Sequence, residues 1–201
     1  MSSQKRKYEL RARAERQAET RRRIAAATAE LHEEVGPART TVAEIARRAG
    51  VQRLTVYKNF PEDYGLFAAC QGHFLAQNPP PDPTAAFAIA DPGARVEAVL
   101  RDLYGWYRRT ERTSANVRRD RESLPALDRL LTETGDTRAA ELAAELTAAF
   151  AVGREDRLRV RAAVALALDF WAWRRLTREG LSDDAAARVM ADAVRAAAAA
   201  A

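Results

Sequence analysis

The chain has 201 residues, 47% apolar and 30% charged, with nine glycines, eight prolines and one cysteine, a balance that excludes disordered and collagen-like arrays. Its longest apolar run, Ala162 to Leu168, is seven residues, far short of the ~20 that a membrane span requires. The net charge of +5 is uneven, because residues 1–60 carry 14 Lys or Arg against 7 Asp or Glu while residues 61–201 carry 19 against 21, so the basic excess lies at the amino-terminal end and points it toward a polyanion such as nucleic acid.

In chain order, the spacing of Ile24, Ala27, Thr28, Leu31 and Val35 predicts a first helix from about Glu9 to Glu34, ended by Gly36-Pro37. Thr41-Val42-Ala43-Glu44 is a capping box opening a short second helix that stops at Gly50. A third helix is expected over about Gln52–Lys58, and Pro61 suits the entry to a fourth reaching about Gln77. Asn78-Pro79-Pro80-Pro81-Asp82-Pro83 is the linker candidate, since prolines there remove donors and fix φ. Asp91-Pro92 opens a helix to about Glu111 with Val96, Val99, Leu100, Leu103 and Tyr107 as its stripe. Shorter pieces follow over Ala115–Glu122 and Pro125–Leu131, and Gly135-Asp136 is read as a stop and a cap before a helix to Phe150. Two helices, Arg154–Arg178 and Asp183–Ala197, close the chain around Gly180 and Ser182. With no alternating strand pattern and no internal repeat, the fold class is all-α.

Residues 41–60 read TVAEIARRAGVQRLTVYKNF. Two short helices that cross closely need a small residue at the crossing, a glycine in the turn and apolar inner faces; Ala46, Gly50, Val51 and Val56, with Ile45 and Ala49, stand at those places. The outer face of the second helix then carries Gln52, Arg53, Thr55, Tyr57 and Lys58, donors suited to base edges and phosphates when a helix lies in a major groove. An αα-hairpin without a DNA role is the alternative.

The run Thr41 to Val51 followed by Thr55-Val56-Tyr57-Lys58-Asn59-Phe60-Pro61 resembles the DNA-binding domain of the tetracycline-repressor (TetR) family of transcriptional regulators. The resemblance implies an amino-terminal helix-turn-helix domain (residues 1–60, with the fourth helix, 61–77, as a link) and a larger helical ligand-binding and dimerisation domain (78–201). It implies a homodimer that a small-molecule effector releases from a double-stranded DNA operator. Carried over by position, Arg53, Leu54 and Thr55 stand where family members touch bases, Tyr57 and Lys58 where they touch phosphates, and Thr41 where a hydroxyl holds a phosphate. Gln52 and Leu54 depart from the serine and small residue common there, so an apolar contact from Leu54 to a thymine methyl is open. Glu62-Asp63 replaces a usual phosphate-anchoring lysine. Lys5, Arg6 and Lys7, with Arg11, Arg13 and Arg16, are read as a short flexible arm reaching a minor groove; a solvated helix with local ion pairs is the alternative.

In the body, the aromatic content offers a pocket with Trp106, Tyr107, Phe150 and Trp171, oriented by Asn116 and Arg118 or Arg119, and with His73 on the fourth helix as a ligand sensor; core packing is the competing role of each. Cys70 and His73 share a face, but two ligands make no metal site, so no metal and no cofactor are expected. The resemblance places the dimer interface on the last two long helices, at Leu158, Ala162, Leu166, Trp173, Val189, Met190, Ala193 and Val194. Asp169, alone among apolar neighbours, is read as a salt-bridge partner of an arginine, with a ligand contact as the alternative. No apolar stretch follows the charged start as a secretory signal requires, and a cytoplasmic location is expected. Two histidines and one cysteine supply no catalytic triad, so an enzyme is not expected; a helical protein-interaction module with a basic end is the alternative to the regulator.

Overall fold

The structure is a computed structural model and describes the backbone of residues 2–199 and the side chains of residue 8 and residues 10–199. Eleven α-helices run along the described residues: α1 (Ser2–Glu34), α2 (Val42–Ala49), α3 (Arg53–Asn59), α4 (Asp63–Gln77), α5 (Thr84–Phe87), α6 (Pro92–Asp120), α7 (Pro125–Leu131), α8 (Thr137–Ala148), α9 (Arg154–Ala167), α10 (Phe170–Arg178) and α11 (Asp183–Ala199). They form two compact units, one of residues 1–79 and 115–130, the other of residues 80–114 and 131–201.

In the first unit, α1 packs on α2 and α4, and α2 on α3. Ile24, Ala27 and Leu31 of α1, Ile45, Ala46 and Ala49 of α2, Val56 and Phe60 around α3, and Leu66 of α4 form its apolar core. These are the positions at which apolar residues recur at helical spacing, so burying one face of each helix satisfies the pattern. α1 begins earlier than its apolar stripe, at Ser2. The expected flexible arm is therefore helical backbone, and from Leu10 onward it takes the alternative role: Arg11 pairs with Glu15 at 3.1 Å and Arg16 donates to the Ala12 carbonyl. The side chains of Lys5, Arg6 and Lys7 lie outside the described residues.

In the second unit, α9 packs against α8 and α11, and α10 against α9 and α11. Asp91 caps α6 through a 2.6 Å bond from the Ala94 amide, and Ser182 caps α11. Three expected breaks fall elsewhere. α6 does not stop at Glu111 but runs on to Asp120, and within it the Thr110 hydroxyl donates to the Trp106 carbonyl at 2.9 Å and shares a bond with Ser114. At Gly135 the chain passes through a π-helical turn, Thr132–Asp136, without positive φ and without a cap from Asp136. The segment Arg154–Arg178 is two helices, because Asp169 accepts the Ala172 amide at 2.8 Å as the cap of α10. The cap is a role not considered for Asp169 from sequence; a short acceptor one residue before a helix satisfies an amide that has no partner in the first turn.

Candidate nucleic-acid interface

The helix-turn-helix is built from three local devices. Thr41 opens α2 by accepting the Glu44 amide at 3.2 Å. The reciprocal half of the capping box is not made, because the Glu44 carboxylate turns to Arg47, and that hydrogen bond holds the carboxyl below its usual range. Gly50 ends α2 in the left-handed region (φ 64°), where its amide reaches the Ala46 and Arg47 carbonyls and the Val51 amide reaches Ala46 at 2.9 Å. A side chain there would meet strain and the Arg23 guanidinium together. The turn is thus tight, and α3 starts three residues later.

Within α3, Val56 is buried in the core, and the opposite surface is left to solvent. Leu54, Tyr57 and Lys58, spaced i, i+3, i+4, stand exposed with Gln52 and Arg53, while Thr55 is half-buried. Leu54 is 59% exposed and Tyr57 54%, both on the side of α3 away from Val56. Thr41 is exposed at the start of α2, and Glu62 and Asp63 lie beyond α3. The structure therefore brings the sequence-predicted contact residues, apart from those whose side chains are not described, onto the surface of one unit.

Residues that carry no sequence signal for DNA contact hold this surface in place. Arg23 donates to the Ala49 and Gly50 carbonyls at the end of α2. Arg21 donates to the Asn59 carbonyl at the end of α3 and lies 4.1 Å above the Phe60 ring. Arg48 grips Glu34 with two bonds of 2.5 and 2.9 Å, tying α2 to α1. In the same unit, the Asn116 amide donates to the His32 and Glu33 carbonyls at 3.1 and 2.9 Å, Arg119 reaches Val35, and Asp120 accepts the Ala38 amide at 3.0 Å. Asn116 is thereby corrected from a ligand-orienting residue to a cap on the last turn of α1. Gly36, at φ 92°, lies so close to Arg119 and Asp120 that any Cβ would collide with them.

Residues 24–70 match the profile of the family described as bacterial regulatory proteins, tetR family. The matched segment runs from the second half of α1 through α2 and α3 into α4, so the tetR-family likeness belongs to the helix-turn-helix region. The crystal structure of a TetR-like transcriptional regulator from Rhodococcus sp. RHA1 superposes with a TM-score of 0.59 at 18% identity, covering 87% of this chain and 93% of that one, a likeness of fold. No curated protein matches the chain. No helix among the described residues is long and apolar enough to cross a membrane.

The other residues singled out in the sequence are dispersed. Tyr107 is core: it and Tyr104 donate to the Leu168 and Ala167 carbonyls at 2.7 Å, and their rings pack with Phe170 and Trp173 at centroid distances of 5.3 to 6.4 Å. Trp106 is half-buried against Tyr107. Trp171 is exposed, edge-on to Phe170 with Arg174 over its ring. Phe150 is buried and lines an open cleft of about 330 Å³ with Asp91, Gly93, Val152 and Arg195. His73 is half-buried on α4 and shares a 3.0 Å bond with Gln77, whereas Cys70 faces inward and meets His32 Nδ1 at 3.4 Å. The buried histidine of the unit is therefore His32, its ring tilted 41° to that of Phe67 at 5.7 Å, and burial holds its imidazole at about 4 against the opposing pull of Asp120. Burial also pushes the Cys70 thiol up to about 12.

Of the residues expected at a dimer interface, Leu158, Ala162, Leu166, Val189 and Ala193 are exposed on α9 and α11. Trp173, Met190 and Val194 are corrected to core residues, since side chains already enclosed within the protomer have almost no surface to give a partner. Trp173 is fixed there from both sides: its Nε1 donates to Asp183 at 3.0 Å, and Arg108, itself bonded to Asp183, lies over its ring.

Proposed function

We propose that this protein is a homodimeric repressor of the TetR family that binds a double-stranded DNA operator through α3 and is released from it by a small-molecule effector. The observation that carries the DNA-binding part is the outer face of α3, where Gln52, Arg53, Leu54, Tyr57 and Lys58 are exposed while Val56 anchors the helix from behind. Arg53 and Thr55 would address base edges, and Tyr57, Lys58 and Thr41 phosphates. Lys5, Arg6 and Lys7 would add contacts along the DNA backbone, giving the excess positive charge of residues 1–60 a partner.

The homodimer is supported by the apolar row of Leu158 (71% exposed), Ala162 and Leu166 on α9 beside Val189 and Ala193 on α11, two helices already packed together. The effector rests on the family resemblance.

Selection from a random duplex pool at two salt concentrations tests the reading. The expected outcome is a palindrome with half-sites about one helical turn or more apart. Replacing Tyr57 and Lys58 by alanine should weaken binding to it at least about tenfold and should lower the log-affinity against log-salt slope by about one for each phosphate left without its partner. Sequence-blind, salt-sensitive binding alone would instead favour a helical interaction module with a basic end. Replacing Leu158 and Leu166 by glutamate should yield a monomer on sedimentation.

A further inference from the structure

We propose that Leu54 determines sequence preference by packing on the 5-methyl group of a pyrimidine in the major groove, an inference that rests on the DNA-binding reading of α3. Every other aliphatic side chain of the helix-turn-helix is at least partly enclosed: Ile45, Ala46, Ala49 and Val56 are buried, and Val42 and Val51 pack against the same core. Leu54 alone is left 59% exposed, on the same face as Tyr57 and Lys58 and next to Arg53. An isobutyl group cannot donate to a phosphate or to a base-edge acceptor, so among these polar neighbours it contributes nothing to electrostatic attraction. What it can recognise in a major groove is the one apolar feature that base pairs present there, the methyl on C5 of thymine. The cations beside it attract the polyanion that would bring that methyl into contact, which argues for nucleic acid as the occupant.

The same methyl is carried by 5-methylcytosine, so the shared chemistry is a 5-methylpyrimidine and the experiment separates its two sources. The probe is the tightest duplex selected by the full chain from a random pool, resynthesised with each thymine replaced singly by deoxyuridine, which deletes the methyl and leaves the base pair intact. Removing one buried methyl should weaken wild-type binding about fourfold at one symmetry-related position, and Leu54→Ala should bind the thymine and uracil duplexes equally. Leu54→Met, which keeps an apolar tip, should retain the thymine preference. At the responsive position, a duplex carrying 5-methylcytosine opposite guanine should bind better than its cytosine counterpart if any 5-methylpyrimidine suffices; no gain assigns the contact to thymine alone.

A uracil penalty of the same size in Leu54→Ala, or no penalty at any position in the wild type, overturns the proposal while leaving the DNA-binding reading intact. Failure of the pool to yield any preferred sequence overturns both, because no base would then be read.

Discussion

Helices α3 and α10 are both short and both carry aromatic residues that sequence alone marks as contact candidates, yet the structure uses them in opposite ways. Within α3 only Val56 is buried, in the core it shares with Ala46, Ala49 and Phe60, and Tyr57 and Leu54 remain on the surface. α10 belongs to the same unit as Tyr104 and Tyr107, and Phe170 and Trp173 fill the space between rings, leaving Trp171 outside. What separates the two helices is which way each aromatic side chain faces: Phe170 and Trp173 face the core, whereas Tyr57 and Trp171 face outward.

That contrast can be broken by mutation. Trp173→Ala should cost about 3 to 5 kcal/mol, read as a lowered denaturation midpoint, because it opens a cavity and leaves Asp183 without its indole donor. A change under about 1 kcal/mol would mean the aromatic cluster is not a packed core.

A smaller effect is expected from acid. His32 is held at about 4 in the fold against a usual 6.5, so the unfolded chain takes up the proton first as pH falls. Stability should be full above about pH 6.5 and decline between there and about pH 4, with a loss of about 2 kcal/mol by pH 5. Denaturant midpoints at pH 7.5 and pH 5 measure it, and His32→Leu should remove most of the difference.

Asn116→Ala should destabilise by roughly 1 to 2 kcal/mol through loss of the two bonds to the end of α1. It should also speed hydrogen exchange at the Gly36 amide, which closes the same turn by bonding to the His32 carbonyl. A ligand-orienting role would leave that exchange unchanged. The smallest stability effect is expected at Tyr57→Ala, within about 0.5 kcal/mol as for an exposed position, alongside a loss of DNA affinity. A large stability loss there would erase the difference between the two helices.

Much of the helix-turn-helix was legible in sequence, because its determinants act over a few residues. The Thr41 cap, the left-handed Gly50 and the spacing of Ile45, Ala49 and Val56 each specify local geometry, and a 3.6-residue period divides inner from outer face wherever one side is buried. The carboxy-terminal unit was less legible. Its apolar and aromatic residues are too many for periodicity to separate core from surface, and the break at Asp169 looks in sequence like the interior of a long helix.

By itself, then, the sequence determined that the chain is helical, that its basic end carries a helix-turn-helix, and which face of α3 is free. Only the tertiary structure decided that Asn116 caps a helix 84 and 83 residues away, that the hydroxyls of Tyr104 and Tyr107 meet carbonyls 63 and 61 residues on, and that Trp173 is core while Trp171 is surface. The reason is range. A cap or a glycine acts on amides a few bonds away and is written in adjacent residues, whereas a buried polar group finds its partner only after folding has brought distant helices together.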